Sequence, residues 1–333
     1  MKVAVLGVGY WGPNLIRNFL GNKDVEKVWA ADVSEKRLEM TRKKFPGVET
    51  TKDIDSIIKS KDIDIIAIST PISHHYTLAK KVLNEGKRVW VEKPFTATSA
   101  QAQELIEISE KKNLPIFVDH TFLYTGAVRK MKELIVNDSI GDILYFDSVR
   151  INLGLFQSDV NVIWDLAPHD LSIMFYILEK KPVAVNANGI ANYYTHENVA
   201  HISVYFNDNC FAHFHINWTS PVKIRKMIVG GSNKMLVFDD MENSEKIKIY
   251  DSGIEIKEKE GIYDALVQYR IGDMSSPKVN QTEALALGVE EFINSIKENR
   301  QPLTNAYDGL NVVKILEAAD KSIKHKGELM EIK

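Results

Sequence analysis

The sequence predicts an α/β protein in two parts. A parallel sheet with helices on both faces comes first, and an α+β domain with a large, mostly antiparallel open sheet follows. Three observations predict this. Over roughly the first 120 residues, short apolar, β-branched runs alternate with helical stripes, the pattern of βαβ units. Beyond about residue 122, strand-like runs follow one another in series. The chain has 333 residues, 44% of them hydrophobic, enough for two cores. We place the first domain at 1–122 and the second at 123–333.

The elements follow in order. "KVAVL" (2–6) is a β-branched run closed by glycine, and Leu15, Ile16, Phe19 and Leu20 then recur at helical spacing. "VEKVWAAD" (25–32) reads as the next strand, and Ser34 is placed to cap a helix. "DIDIIAIST" (62–70), "RVWVEKP" (88–94) and "LPIFVDH" (114–120) are further buried strands, with helices between them, the last at 99–112. In the second part, helices are expected at 125–137 and near 165–178, around a long strand at 143–153. "FAHFHINW" (211–218) alternates apolar with polar residues, which marks a sheet with one packed face. Similar runs lie near 183–193, 199–206, 223–230, 234–238 and 246–250, and 258–281 reads as a loop. Apolar stripes through Leu285 to Ile296 and Leu310 to Ala319 give two closing helices.

Composition excludes several classes. The net charge is −3 with 26% charged residues, so no basic face for nucleic acid is implied. Cys210 is the single cysteine, which excludes an internal disulfide and a cysteine-rich zinc site and suits a reducing cytosol. The apolar stretch Val3 to Val8 is shorter than the ~7–15 residues of a secretion-signal core. No apolar run approaches the ~20 residues of a membrane helix. A soluble cytoplasmic protein with neither membrane nor nucleic-acid partner is expected.

The glycines Gly7, Gly9 and Gly12 fit G-x-G-x-x-G directly between a strand and a helix. There the first glycine permits the tight turn, the second admits a pyrophosphate to the backbone, and the third lets helix and strand pack closely. This is the fingerprint of a Rossmann dinucleotide-binding domain. Tyr10 and Trp11, inside the turn, are candidate cofactor contacts; a structural role for Trp11 is equally open. Pro13 suits the first helical turn, where its missing N–H is expendable. Asp32 stands 20 residues past Gly12 at a strand end, where a carboxylate can hold the ribose hydroxyls of NAD. Lys36 and Arg37 follow closely, so NADP is not excluded, but the carboxylate favours NAD.

Ligands of an open α/β sheet bind beyond the carboxyl ends of its strands. "STPISHH" (69–75) lies at such an end, so Ser69, Thr70, Pro71 and His74 are candidate cofactor contacts, with a solvent-facing helix-start role the alternative for His74. "VEKPF" (91–95) lies at the next, with Glu92 and Lys93 where substrate and nicotinamide would meet. A lysine there can hold a reacting hydroxyl and stabilise its developing negative charge. In "WDLAPHDLS" (164–172), Asp165 and His169 are four apart and share a helical face. A carboxylate beside an imidazole suits a general base. Pro168 fits only a first turn, so this helix is expected to start near Asp165, which could then be merely its cap; Asp170 is read as lying outside the site. Metal binding by His74, His75, His169, His213 and His215 has no supporting spacing motif, and no G-x-S-x-G of a hydrolase occurs.

In this order, "GVGYWG", "STP", "VEKP" and Asp165 with His169 resemble the Gfo/Idh/MocA oxidoreductases, the family of glucose–fructose oxidoreductase and inositol dehydrogenase. The resemblance spans essentially the whole chain. It implies a Rossmann domain, a second domain with an open sheet, NAD or NADP, and a homodimer or homotetramer formed through that sheet. It also implies Lys93, Asp165 and His169 as the catalytic group and a Lys93–Pro94 cis peptide. "GYWGPN" and "WDLAPHD" look like the branch that makes surface-polysaccharide sugars, some of whose members oxidise the 3-hydroxyl of a UDP-N-acetyl sugar. "VNVIWDL" stands where sugar dehydrogenases have a glycine-rich lead. His120, Thr121, Tyr124 and Arg150 are further candidates for substrate contact, and Lys223 and Arg225 for a nucleotide. Alternatives are a cyclitol or aldose dehydrogenase, a keto-sugar reductase, and a non-catalytic dinucleotide sensor.

Overall fold

The computed structural model describes residues 1–154, 156, 159–193, 195–257 and 266–332. The chain forms two compact units, Met1–Tyr124 with Thr282–Glu317, and Thr125–Gln281 with Ala318–Lys333. The division differs from a single cut after residue 122, because residues 282–317 return to the first unit. The reason is the stripe of α8 (Ala284–Lys297): Phe292 packs 5.9 Å from Trp90 and 5.3 Å from Phe117. Periodicity shows such an apolar face but not which core receives it.

The first unit holds six parallel strands, β1 (Lys2–Leu6), β2 (Lys27–Ala31), β3 (Glu49–Thr51), β4 (Ile65–Ile68), β5 (Arg88–Glu92) and β6 (Ile116–Asp119). Their order is β3-β2-β1-β4-β5-β6. The order reverses at β1, so the carboxyl ends of β1 and β4 flank the crevice where such folds bind ligands. Helices α1 (Gly12–Gly21), α2 (Glu35–Lys44), α3 (Ile54–Lys59), α4 (Ile72–Asn84) and α5 (Ser99–Lys112) connect them. Ser34, Asp53 and Thr98 cap α2, α3 and α5 by accepting a backbone N–H. β3 and α3 carry no strong sequence signal: "ETT" is short and half-polar, and it is a strand because it pairs with β2. Central strands β1 and β4 are almost wholly buried, as their apolar runs require. Trp90 stacks on Phe117 at 3.9 Å, and Phe19 meets it edge-on at 5.6 Å.

In the second unit, α6 (Gly126–Val136) precedes β7 (Ile143–Leu153), then α7 (Val162–Leu178), β8 (Pro182–Ile190), β9 (Val199–Phe206), β10 (Phe211–Asn217), β11 (Thr219–Gly231), β12 (Met235–Asp239) and β13 (Ile247–Tyr250). β14 (Gly253–Lys257), β15 (Leu266–Arg270), β16 (Met274–Ser275) and, after α9 (Ala306–Lys324), β17 (Met330–Glu331) follow. Nine strands form one sheet in the order β16-β13-β12-β11-β7-β10-β9-β8-β17. Among the described residues, only the β10–β7 pairing in it is parallel. In β10, Ala212, Phe214 and Ile216 are buried and His213, His215 and Asn217 half-buried, as alternation dictates. Part of the expected loop at 258–281 is strand: β15 pairs with β14 and β16 with β13. Residues 258–265 lie outside the described residues. No helix among the described residues is long and apolar enough to cross a membrane.

α7 starts at Val162 rather than near Asp165. Asn161 caps it, its Oδ1 accepting from the N–H groups of Ile163 and Trp164. Pro168 therefore sits inside the helix, where it leaves a turn without its hydrogen bond.

The turn after β1 constrains how closely α1 approaches it. A Cβ on Gly12 would stand 2.2 Å from the Gly7 carbonyl oxygen, while one on Gly21, in the same helix, meets nothing. Gly12→Ala is expected to lower stability by about 1–3 kcal/mol. Gly21→Ala should leave it unchanged or slightly raised. Thermal melts of the two variants against the wild type measure the contrast.

Candidate active site

In the first unit the glycine turn has the shape of a phosphate cradle. Gly7 has φ +88°, and a Cβ there would lie 2.5 Å from the Ser69 carbonyl oxygen. At Gly9 a Cβ would meet nothing nearer than the Arg37 guanidinium, at 3.8 Å, so that backbone stands open to a ligand. α1 begins at Gly12, and its free N–H groups favour negative charge. The residues therefore fit a dinucleotide pyrophosphate. Tyr10 is exposed, whereas Trp11 is half-buried and its Nε1–H donates to Asp119 Oδ2 at 3.4 Å. Asp32 directly follows β2, buried, with Oδ2 accepting from the Val8 N–H and Oδ1 from the Ser34 N–H.

Ser69 and Thr70 follow β4 half-buried, and Pro71 and His74 are exposed. His75, not His74, is the engaged histidine: its ring nitrogens lie 2.9 Å from the Pro94 carbonyl oxygen and 2.8 Å from that of Thr70. Burial lowers its pKa. It ties the start of α4 to the segment after β5, a role that adjacency in "SHH" could not assign. The Lys93–Pro94 peptide is cis.

Glu92 and Asp119 face each other in the β5–β6 register. Both are buried, and burial raises the pKa of each. The charge of Asp119 pushes Glu92 up further, well above the carboxyl range, so the proton sits on Glu92. Asp119 stays the acceptor for the Thr121 Oγ1–H (2.6 Å) and the Trp11 indole. His120 is buried with no hydrogen-bond partner for either ring nitrogen among the described residues, and burial followed by the charge of Lys93 brings its pKa down to about 3. It is a neutral imidazole beside an ammonium. Asp119 went unassigned in the sequence, although a second acid at a strand end, next to His120, was the signal.

Tyr124 is no substrate contact. It is wholly buried, its ring 5.9 Å from Phe117 and its hydroxyl 3.0 Å from Thr304 Oγ1.

The second unit carries Asp165 and His169, one turn apart on α7 and both half-buried. The Trp218 indole Nε1–H donates to Asp165 Oδ2 at 3.0 Å, which fixes the carboxylate. Trp218 was read as a strand residue only. Trp164 donates to Asp320 Oδ2 at 2.7 Å, and Asn161 donates to the other oxygen of that carboxylate at 2.9 Å.

Arg150 also leaves the candidate site. Its guanidinium is 3% exposed and donates through Nε and Nη2 to Asp170 Oδ1, at 2.8 and 2.5 Å. Ser148 donates to Oδ2 of the same carboxylate at 2.8 Å. A buried cation consumed in this way cannot reach a substrate; it anchors α7, through the residue after His169, onto β7. Arg225 pairs with Asp240, and Lys223 is exposed. His213 and His215 stack on His201 at 5.6 and 4.4 Å, and among the described residues no group is placed to hold a metal ion.

The sequence profile described as "Oxidoreductase family, NAD-binding Rossmann fold" of Gfo/Idh/MocA matches residues 1–120, and that of the Gfo/Idh/MocA C-terminal domain matches 128–237. The chain belongs to the Gfo/Idh/MocA family. It is an oxidoreductase whose first unit is an NAD-binding Rossmann fold. An uncharacterised oxidoreductase of Schizosaccharomyces pombe is 31% identical over 51% of this chain, which spans about half (49%) of that relative. The UDP-N-acetylglucosamine 3-dehydrogenase of Acidithiobacillus ferrooxidans is 23% identical over 94% of each chain. Its structure matches with a TM-score of 0.82 over 98% of each chain at 20% identity. GenD2 from gentamicin A biosynthesis, solved with NAD, gives a TM-score of 0.84 at 17% identity, over 100% of this chain and 96% of that one.

Two variants test this geometry. Arg150→Met strands Asp170 as an unpaired buried charge and is expected to cost about 3–5 kcal/mol in denaturant unfolding. Glu92 holds a proton in the folded chain that the unfolded chain releases near its ordinary 4.5. Stability through this group therefore falls as pH rises above about 4.5, by about 1.4 kcal/mol per unit until the raised folded pKa is reached. Glu92→Gln has no such proton to lose, so its stability relative to wild type should climb between pH 5 and 8. A constant difference across that range would show that Glu92 is ionised in the fold.

Proposed function

We propose that the protein is an NAD-dependent dehydrogenase of a sugar hydroxyl, with a nucleotide sugar of the UDP-N-acetyl type as substrate, acting as a cytoplasmic homodimer or homotetramer. The observation that carries the reading is Asp165 and His169 on one face of α7, with Asp165 fixed by Trp218. Lys93, at the carboxyl end of β5, is the third member. The UDP-N-acetylglucosamine 3-dehydrogenase similar over nearly the whole chain supports the substrate class.

Oxidation of an alcohol removes a hydride from carbon and a proton from oxygen. NAD supplies the hydride acceptor. Gly7, Gly9 and Gly12 cradle its pyrophosphate, and Asp32, Ser69, Thr70 and Glu92 line its path. His169 takes the hydroxyl proton, and Asp165 orients the imidazole and stabilises its charged form. Lys93 donates to the same oxygen and offsets its growing negative charge. Neutral His120 and protonated Glu92 add no charge beside Lys93 that would compete with this role. In reverse, His169 returns the proton to a keto sugar.

NADH formation at 340 nm with UDP-N-acetylglucosamine, related UDP-sugars, free aldoses and cyclitols tests the reading. Turnover is expected with a UDP-N-acetyl sugar. His169→Asn and Lys93→Met should each lower kcat by about 10²–10⁴-fold, with NADH affinity, read by fluorescence, within a few-fold of wild type. Turnover confined to free aldoses or cyclitols would overturn the nucleotide-sugar assignment. Tight NADH binding with no turnover at all would favour a dinucleotide sensor.

A further inference from the structure

α7 carries Asp165 in its first turn and His169 in its second, and Pro168 stands between them. A proline has no N–H, so the Trp164 carbonyl lacks the donor that a regular helix supplies from four residues on. The backbone ladder is therefore one rung short where the two turns join, and side chains must fix how the turns stand to each other. Each turn has its own anchor. The His169 turn is held through its neighbour, since Arg150 and Ser148 donate to the Asp170 carboxylate from β7. The Asp165 turn is held by Asp320.

Asp320 lies on α9, within the part that belongs to the second unit. Its two oxygens grip two residues. Oδ2 accepts from the Trp164 indole at 2.7 Å and Oδ1 from the Asn161 amide at 2.9 Å. Asn161 is the N-cap of α7, and Trp164 directly precedes Asp165. A single bond would let the turn pivot. Two bonds, to residues nearly one turn apart, fix its rotation about the helix axis as well as its position. Both partners are 8% exposed, so water offers a poor substitute for either bond. Trp218 holds the tip of the Asp165 side chain; Asp320 holds the backbone that carries it.

We propose that Asp320 is a positioning residue for the Asp165–His169 pair. By fixing the first turn of α7 across the rung that Pro168 removes, it sets how the Asp165 carboxylate meets the imidazole of the next turn. It acts through Trp164 and Asn161. This rests on the reading of Asp165 and His169 as the pair that takes the hydroxyl proton. A misplacement on the order of 1 Å between such groups costs up to about 10²-fold in rate.

Proton NMR titration of the histidine rings in the full chain, with His169 assigned by the signal lost in His169→Asn, tests this without turnover. A carboxylate facing an imidazole raises its titration midpoint, and Asp165→Asn, which removes that charge, measures the full effect. Asp320→Asn keeps the side-chain shape but turns an NH2 group toward one of its two donors. Trp164→Phe keeps an aromatic ring and removes the indole N–H. Each is expected to lower the His169 midpoint by a large part of the Asp165→Asn shift. The double variant should lower it no further than the larger single does, since both break one grip. With UDP-N-acetylglucosamine, each should lower kcat about tenfold and leave the KM values within about threefold. A midpoint that stays at the wild-type value in both variants, while Asp165→Asn lowers it, overturns the role of Asp320. So does a rate loss that appears wholly in KM. A midpoint unmoved by Asp165→Asn itself overturns the pairing of Asp165 with His169, and the role of Asp320 with it. Absence of turnover by the wild type counts against the sugar-dehydrogenase reading, and the titration then decides the role of Asp320 alone.

Discussion

The approach of Gly12 to the Gly7 carbonyl is the constraint on which the cofactor half of the molecule depends. With no side chain at either position, α1 can begin directly over the end of β1. That places the helix N-terminus, the open backbone of Gly9 and the carboxyl ends of β1 and β4 around one crevice. Trp11, carried in the same turn, reaches across to Asp119 at the end of β6. The turn therefore links strands at the centre and edge of the sheet, and the buried acids at their ends inherit its geometry.

Buried polar groups are handled in two ways, and the first unit uses both, since Asp32 and Asp119 are held by donors there. At the strand ends of the first, burial drives groups toward their neutral forms: Glu92 keeps a proton and His120 gives one up. Of the two strand-end acids, Asp119 is the one whose negative charge meets the ammonium of Lys93. In the second, polar groups are held by dedicated donors. Asp170 accepts from Arg150 and Ser148, Asp165 from Trp218, and Asp320 from Trp164 and Asn161. α7 is the beneficiary, since each of these contacts fixes a residue on it or beside it.

Most of the α/β pattern was legible because buried parallel strands and amphipathic helices write their periods into the sequence. The glycine turn was legible for the same reason in miniature, since three residues at fixed spacing must lack side chains. What escaped was whatever depends on a partner distant in sequence. Arg150 and Tyr124 looked like ligand contacts because a polar residue near a site reads alike whether it meets substrate or protein; Asp170 and Thr304 decide otherwise. His74 and His75 differ only in which face of α4 is turned inward. Pro168 suggested a helix start, but Asn161 supplied a better cap one turn earlier. β3 and β16 are short and defined by their neighbours rather than by their residues, and β15 lies in a stretch whose irregular pattern reads as a loop.

The return of residues 282–317 to the first unit bears on biosynthesis. During translation, Trp90 and Phe117 leave the ribosome roughly ten to forty seconds before Phe292 does, at ordinary elongation rates. Through that interval the nascent N-terminal sheet carries an aromatic surface whose cover has not been made. Its completion waits for almost the entire polypeptide, so a stalled or prematurely terminated product ending within the second unit is a natural client for chaperones and proteases.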